Sequence, residues 1–337
     1  MHIKKILNNN LVFTLVVLKV IVAIITYKIF KTFLPGDMLA ASDISIYSNC
    51  SQETSNILYT KILCSFGIND VEGIYSWYLL SMAVIINTIL AVGYFITLKD
   101  YLSINGKYLF LFLLVFHPYL AIYSVRFYSD IFGSIGVFIT FYYLINSKPI
   151  DTFFTISSIL LMHLRTQLIP VFIGLSFIVL ISKRFLKKEK LMAVITLIAG
   201  TLAILYYSSF ALFFFFSEEN PNIGIPPDYP IWWNLISLFS FREGFAVSGP
   251  AEIFLNLNEF KLFQLLIMFI LFLFHVVGMI GLYKFTLRKN YLIVTIIFLY
   301  VLPTLIGISH LRYLMPLIPI ISFGFIYLFF KKPLIKL

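Results

Sequence analysis

Charged residues are scarce in this 337-residue sequence, which contains 12% Asp, Glu, Lys and Arg but 61% hydrophobic residues. Soluble domains carry about 25% charged residues. A soluble fold of this length could not bury so much apolar surface, so lipid must cover a large part of it. The mean hydropathy of +0.97 points the same way. The composition therefore predicts an integral membrane protein.

The motifs of many soluble and metal-dependent enzymes are also absent. The two cysteines, Cys50 and Cys64, form no CxxC pair, which disfavours a cysteine-based metal site. The sequence has no Walker A loop, no G-x-S-x-G elbow and no HExxH motif. The net charge of +10 comes from short cationic clusters between apolar runs, a distribution that argues against nucleic-acid binding. We expect no metal, no cofactor and no nucleic-acid partner.

Long apolar runs predict an all-α, polytopic protein with about ten transmembrane helices in a single domain covering residues 1–337. The runs are 10–31, 76–98, 108–124, 131–147, 151–164, 167–182, 191–216, 262–283, 291–308 and 313–330. A straight crossing needs about 20 residues. Because the third to sixth runs are shorter, we expect broken or tilted helices there, packed inside the protein. The first run is interpreted as an uncleaved anchor.

The distribution of Lys and Arg predicts the orientation of these runs. Sixteen of the 25 lie in the N-terminus, in the C-terminus and in the loops after the second, fourth, sixth and eighth runs. Eight lie on the other side, together with twelve of the 15 acidic residues. Cations favour the cytoplasm. Both termini are therefore predicted to be cytoplasmic, and two long loops, 32–75 and 217–261, are predicted to be exoplasmic.

The predicted topology places one lysine inside a transmembrane segment. Lys19 lies within the first run, where a lysine is costly unless it pairs with polar groups inside the bundle. We expect such pairing and assign Lys19 no catalytic role.

Cys50 and Cys64 both fall in the first exoplasmic loop, an oxidising space in which they can form a disulfide.

Polar residues that could carry chemistry begin just after the first run. Asp43 and Tyr47 are four residues apart and share one face if this stretch is helical. Asp43 is a candidate catalytic base, with Asp37 as the alternative. The other interpretation of Asp43 is a helix cap.

The turn between the third and fourth runs carries Arg126 and Asp130. These form either a local ion pair or part of a polar cavity.

Two later exoplasmic turns each place a histidine and an arginine two residues apart: His163 with Arg165, and His310 with Arg312. An arginine can bind phosphate with two parallel hydrogen bonds. For either arginine alone, the simpler interpretation is an interfacial side chain that reaches towards water. Arginines on this side oppose the positive-inside rule, so we expect acids or an anionic lipid-linked substrate to compensate them.

The order of these features resembles the GT-C superfamily of polytopic glycosyltransferases, which use polyprenyl-phosphate-linked sugars. The resemblance is carried by Asp43 and Tyr47, by the turn from Ser124 through Tyr128 to Asp130, by Arg165, and by His310, Arg312, Tyr313, Pro316 and Pro319. It implies an inverting transfer in which Asp43 deprotonates an acceptor hydroxyl. Arg165 and Arg312 would hold the lipid phosphate and stabilise its leaving charge. No metal is required.

The full set of candidates extends this assignment. Candidate phosphate-binding residues are Arg126, His163, Arg165, His310 and Arg312, and candidate sugar contacts are Tyr47, Asp130, Trp232 and Trp233. The two tryptophans are equally explained as membrane-interface anchors. The expected partners are a polyprenyl-linked sugar donor, a glycan or glycolipid acceptor and membrane lipid, at a bacterial inner membrane.

Two other functions remain open. The first is an O-antigen or exopolysaccharide repeat-unit polymerase, which is also polytopic and handles undecaprenyl pyrophosphate-linked glycans with exoplasmic arginines. The second is a transporter for a lipid-linked glycan, whose arginines would line a path through the membrane. Clustering of the arginines with an acid on the exoplasmic side favours an enzyme.

Single-cysteine labelling tests the predicted topology. In a background without Cys50 and Cys64, cysteines placed in 32–75 and 217–261 should react with a membrane-impermeant reagent on intact cells, because these loops lie outside. Cysteines in 183–190 should react only after the membrane is opened. Labelling of 183–190 from outside would contradict the topology.

Overall fold

A computed structural model of the chain describes residues 2–33, 57–65, 77–125, 130–183, 185–216, 259–306 and 311–332. These residues are almost entirely helical, and they contain no β-strand beyond an isolated bridge between Leu102 and Lys331. The predicted all-α class is therefore confirmed for the part of the chain that the structure describes.

Helix boundaries follow the apolar runs. The α-helices are α1 (His2–Phe33), α2 (Ile57–Ser65), α3 (Trp77–Leu98), α4 (Ile104–Phe116), α5 (Pro118–Ile122), α6 (Asp130–Ile145), α7 (Thr152–Leu164), α8 (Ile169–Ile181), α9 (Lys187–Phe216), α10 (Glu259–Lys289), α11 (Leu292–Ile306) and α12 (Ile318–Phe330). Short 3-10 helices occupy Lys99–Tyr101, Tyr123–Val125, Thr166–Leu168 and Leu311–Leu317. Each of the ten predicted runs overlaps one of these helices or a broken pair, and α2 is an additional helix.

Four of the helices in the described ranges are long and apolar enough to cross a membrane. These candidate spans are Asn10–Ile29, Leu79–Tyr101, Lys187–Tyr206 and Phe269–Leu287. A fifth arises if Ile104–Phe116 and Pro118–Val125, which bend by 52° at their junction, are counted as one. The remaining apolar helices have 10–17 residues. The chain is thus a helical protein with candidate membrane spans, while ten crossings and the extents of the exoplasmic loops remain predictions.

Proline breaks the third apolar run, and Lys19 bonds a carbonyl that the break releases. Pro118 has no amide hydrogen to donate to the carbonyl of Leu114, and α4 ends at Phe116. The Lys19 ammonium donates to the carbonyl oxygens of Leu114 and Leu120, each at 3.0 Å. The Lys19 side chain is only 2% exposed. The expectation that Lys19 pairs with polar groups inside the bundle is confirmed.

Loops that the charge pattern assigns to the cytoplasm contact one another. The amide of Ser103, after α3, donates to the carbonyl of Phe330 at the end of α12 (2.9 Å). The amide of Ile150, before α7, donates to the Glu189 carboxylate in the first turn of α9 (3.2 Å). Both contacts join segments that the sequence placed on the same side, which agrees with the predicted grouping.

Glycines let α10 and α12 pack with their backbones in close contact. A Cβ added at Gly281 would overlap the carbonyl oxygen of Gly324, and one added at Gly278 would lie 2.5 Å from the carbonyl oxygen of Ile321. Small residues at helix interfaces allow this approach in membranes, where apolar burial alone does not drive helices together. These positions therefore have no room for a side chain.

The helix α2 lies within the first predicted exoplasmic loop and packs against the helical bundle. The ring of Tyr59 is buried and packs edge-on against Phe132 in the first turn of α6, with ring centroids 6.1 Å apart. Cys64, also in α2, is disulfide-bonded. Cys50, the only other cysteine in the chain, lies outside the described residues. The bonded state of Cys64 agrees with the predicted disulfide.

Replacing Lys19 by Met tests the account of the helix break. The variant keeps an unbranched side chain, one atom shorter, but leaves the carbonyls of Leu114 and Leu120 without their donor. An unsatisfied buried group costs about 1–3 kcal/mol, so the midpoint of thermal unfolding in detergent should fall. The matched control is Lys28→Met on the same helix, where the lysine is exposed. An unchanged midpoint for Lys19→Met would contradict the account.

Candidate functional site

A buried ion pair joins two of the predicted site residues. Arg165 Nη2 lies 2.7 Å from Asp130 Oδ1, and the two side chains are 7% and 4% exposed. The N–H bond is not directed at this oxygen, so the contact is an ion pair rather than an aligned hydrogen bond. A local pair between Arg126 and Asp130 stays a prediction, because Arg126 lies outside the described residues. The structure gives Asp130 a partner 35 positions further along the chain.

Both charged side chains lie at helix ends whose dipole stabilises their charge. Asp130 is in the first turn of α6, where the partial positive charge of a helix N-terminus stabilises an anion. Arg165 is the C-cap of α7, where a cation is favoured. The α7 helix ends at Arg165, whose backbone is extended (φ −146°, ψ 102°), and a 3-10 turn, Thr166–Leu168, leads into α8, which has Pro170 in its first turn.

Gln167 fixes the guanidinium from a second side. Its Oε1 accepts hydrogen bonds from Arg165 Nε at 3.0 Å and from Arg165 Nη2 at 2.8 Å. Tyr300 of α11 reaches the same oxygen with its hydroxyl at 3.5 Å. The edge of Arg165 formed by Nε and Nη2 is therefore occupied by Gln167 and Asp130, and its orientation is determined by both.

Three distant parts of the sequence converge around Gly133. A Cβ added there would lie 2.9 Å from the Tyr300 hydroxyl oxygen, 3.3 Å from Pro316 Cγ and 3.6 Å from Arg165 Cγ. The absence of a side chain at this position is what lets α6 approach the other segments so closely. Gly133 is also one turn after Asp130, so the convergence point adjoins the ion pair.

The backbone of Arg312 lies near this point. Pro316 and Arg312 belong to the same 3-10 helix, Leu311–Leu317. Four residues of such a helix extend roughly 8 Å. The Arg312 backbone is therefore within roughly that distance of Pro316, which itself packs next to Gly133. The structure thus brings the Arg312 segment to the same end of the bundle as Arg165.

Most of the other candidate residues lie outside the described part of the chain. These are Asp37, Asp43, Tyr47, Arg126, Trp232, Trp233 and His310. His163 is half-buried in the last turn of α7. Among the predicted site residues, the structure therefore brings Asp130 and Arg165 into direct contact. The phosphate-binding and base roles predicted from the resemblance remain predictions.

A second buried polar cluster was not predicted from the sequence. The Nε2 atoms of His117 and His275 lie 3.3 Å apart, and both side chains are buried. Nδ1 of His117 has no hydrogen-bond partner among the described residues. His117 is the residue at the break before Pro118, and this broken helix was the sequence signal for an unusual local environment. The pair joins the break to α10.

The described residues contain no group of three or more His, Cys, Asp or Glu side chains placed to hold a metal ion. Asp130 is the acid at the cluster around Arg165, and its carboxylate is engaged by the guanidinium. Among the described residues, this cluster presents the fixed cation of Arg165, whose charge is largely balanced by the Asp130 carboxylate.

A double-mutant cycle tests the Asp130–Arg165 ion pair. Removing one partner of a buried pair leaves an uncompensated charge and costs about 3–5 kcal/mol. Asp130→Asn and Arg165→Gln should each lower the unfolding free energy in detergent, whereas the double variant should lose much less than their sum. Asp100→Asn, at an exposed position, is the control and should change little. Additive losses would mean that the two residues do not interact.

Comparison with protein-family models, with curated proteins and with solved structures finds no match to this chain. The resemblance to the GT-C superfamily therefore rests on the residues of the sequence itself. In the structure, Asp130, Arg165 and Pro316 lie close together around Gly133. These residues come from three different motifs of that resemblance.

Proposed function

We propose that the protein is a membrane glycosyltransferase that works at the outer face of the inner membrane. It transfers a sugar from a polyprenyl-(pyro)phosphate-linked donor to a surface-polysaccharide or lipid-linked acceptor. The observation that supports this proposal is the convergence of Asp130, Arg165 and Pro316 around Gly133. The convergence places a carboxylate and an arginine from two of these motifs at one end of the bundle, next to the 3-10 helix that carries the backbone of Arg312.

The charge of the cluster decides how a phosphate would bind. Asp130 balances Arg165, so the pair alone offers little net attraction for a lipid phosphate. Arg126 and Arg312 supply the missing positive charge in this proposal, because one directly precedes the Asp130 segment and the other lies on the turn that contains Pro316. A phosphate then competes with Asp130 for the guanidinium of Arg165. Asp130 acts as a positioning residue that keeps this arginine oriented.

The proposed reaction is an inverting substitution at the anomeric carbon. Asp43 takes the proton of the acceptor hydroxyl while the hydroxyl oxygen bonds to the anomeric carbon. The bond between that carbon and the phosphate oxygen breaks, and the electron pair leaves with the phosphate. The transition state has oxocarbenium character, as in other glycosyl chemistry. Arginines aimed at the departing phosphate stabilise the charge that develops there.

The position of α2 supports the participation of the first loop. This helix lies within predicted loop 32–75 and packs on the first turn of α6 through Tyr59 and Phe132. Cys64 in the same helix is disulfide-bonded, and its only possible partner in the chain is Cys50. Asp43 belongs to the same loop, seven positions before Cys50 in the sequence.

Asp43→Asn and Arg312→Lys test the proposal in a deletion strain complemented by each variant. The asparagine keeps the shape of the side chain but cannot take a proton, so the rate should fall by about 10²–10⁴. The lysine keeps the charge but loses the paired hydrogen bonds of the guanidinium, so surface-glycan extension should also fail. Lys61→Gln, at an exposed position of α2, is the control and should extend glycan normally at equal membrane abundance.

Each result of this experiment has a different consequence for the proposed site. Normal glycan from Asp43→Asn would remove Asp43 as the base and make Asp37 the next candidate. Normal glycan from the arginine variant as well would leave the proposed enzyme without a site. The size distribution of the glycan on a gel distinguishes the polymerase alternative. A polymerase defect leaves single repeat units, whereas a transferase defect leaves every unit without one sugar.

A further inference from the structure

The end of the bundle opposite the ion pair contains a cavity that the proposed function does not use. It has a volume of ≈ 410 Å³ and lies between the last turns of α10 and α12. The described residues that line it are Lys284, Leu287, Tyr327, Leu328 and Lys331. This volume falls within the range of about 300–1,000 Å³ that is usual for small-molecule pockets.

The lining combines cationic and apolar groups. Lys284 and Leu287 are one turn apart on one face of α10. Tyr327 is in the last turn of α12, and Lys331 is the extended residue that caps this helix. Among the described residues, the lining contains two ammonium groups, one phenol and two leucines, and no Asp or Glu. Such a lining suits a ligand with an anionic head that donors can bind and an apolar tail.

The lysines have a simpler explanation, which is that cations stabilise the C-terminal ends of helices. In α12, however, the carbonyl of Phe330 already accepts a hydrogen bond from the amide of Ser103 at 2.9 Å. The end of this helix is therefore partly satisfied by the backbone. Lys284 is also five positions before the end of α10 at Lys289, more than one turn from the terminus, where the influence of the dipole has declined.

The position of the cavity along the candidate membrane span indicates that its ligand comes from the lipid bilayer. Leu287 is the last residue of the candidate span Phe269–Leu287, so the cavity lies where that span would leave the hydrocarbon. Lys284 and Lys331 are both exposed there. Basic pockets between helices at this level bind the headgroups of anionic lipids. A soluble phosphate would gain nothing from the two leucines.

We propose that this cavity is a binding site for one anionic phospholipid of the adjacent leaflet. The headgroup phosphate lies between the ammonium groups of Lys284 and Lys331, and the hydroxyl of Tyr327 donates to it. The first part of an acyl chain packs on Leu287 and Leu328. The site is independent of the proposed glycosyl transfer and of the residues assigned to it.

Native mass spectrometry of the full-length protein, titrated with phosphatidylglycerol or phosphatidylcholine, tests the site. The wild type should bind one phosphatidylglycerol molecule more tightly than any phosphatidylcholine. The double variant Lys284→Gln/Lys331→Gln should bind it about 30-fold more weakly, because each lysine near anionic lipid contributes roughly a fivefold preference. Leu287→Trp keeps both charges but fills the cavity, and it should also abolish the tight site.

The matched control is Lys187→Gln/Lys188→Gln, which removes the same charge from two exposed lysines outside the cavity. It should bind phosphatidylglycerol as the wild type does, and all variants should unfold at similar temperatures in phosphatidylcholine. Equal weakening in this control would reduce the effect to general surface charge and overturn the site. Wild-type affinity in the cavity variants would do the same. Displacement by soluble glycerol phosphate would indicate a site for a free phosphate instead of a lipid.

Discussion

The ion pair between Asp130 and Arg165 is the interaction on which this end of the bundle depends. Two charges buried among apolar helices cannot be hydrated, so each must be neutralised by the protein. The 2.7 Å contact joins the start of α6 to the break between α7 and α8. Gln167 and Tyr300 extend it to α11. Four helices are therefore tied together by one polar cluster, and Pro316 packs beside Gly133, one turn after Asp130.

Proline explains why polar groups are needed inside the bundle at all. In an apolar medium every backbone group must be satisfied within the protein, and a proline removes one donor. The break at Pro118 is completed by Lys19, which donates to the carbonyls of Leu114 and Leu120. At the second break, Arg165 bonds the side chains of Gln167 and Asp130. The buried lysine therefore compensates the break at Pro118, whereas the buried arginine is neutralised by side chains.

The helices could be predicted from the sequence, because an apolar run and its flanking prolines act locally. The partners of the charged residues could not. Asp130 has Arg126 nearby in sequence, which made a local pair one of two interpretations, but Arg165 lies next to Asp130 only because α6 and α7 pack together. The same applies to His117 and His275, which are 158 positions apart. The need of Lys19 for partners was predictable from its cost in lipid, whereas their identity as carbonyls depended on the break at Pro118.

A cryo-EM map of the protein in a lipid nanodisc tests the central claim most directly. The account predicts that Arg165 Nη2 lies within ion-pair distance of Asp130, inside the helical bundle. It also predicts that this pair lies near one boundary of the bilayer and that Lys284 and Lys331 lie near the opposite boundary. A map in which the Arg165 side chain points into lipid, away from Asp130, would contradict the account.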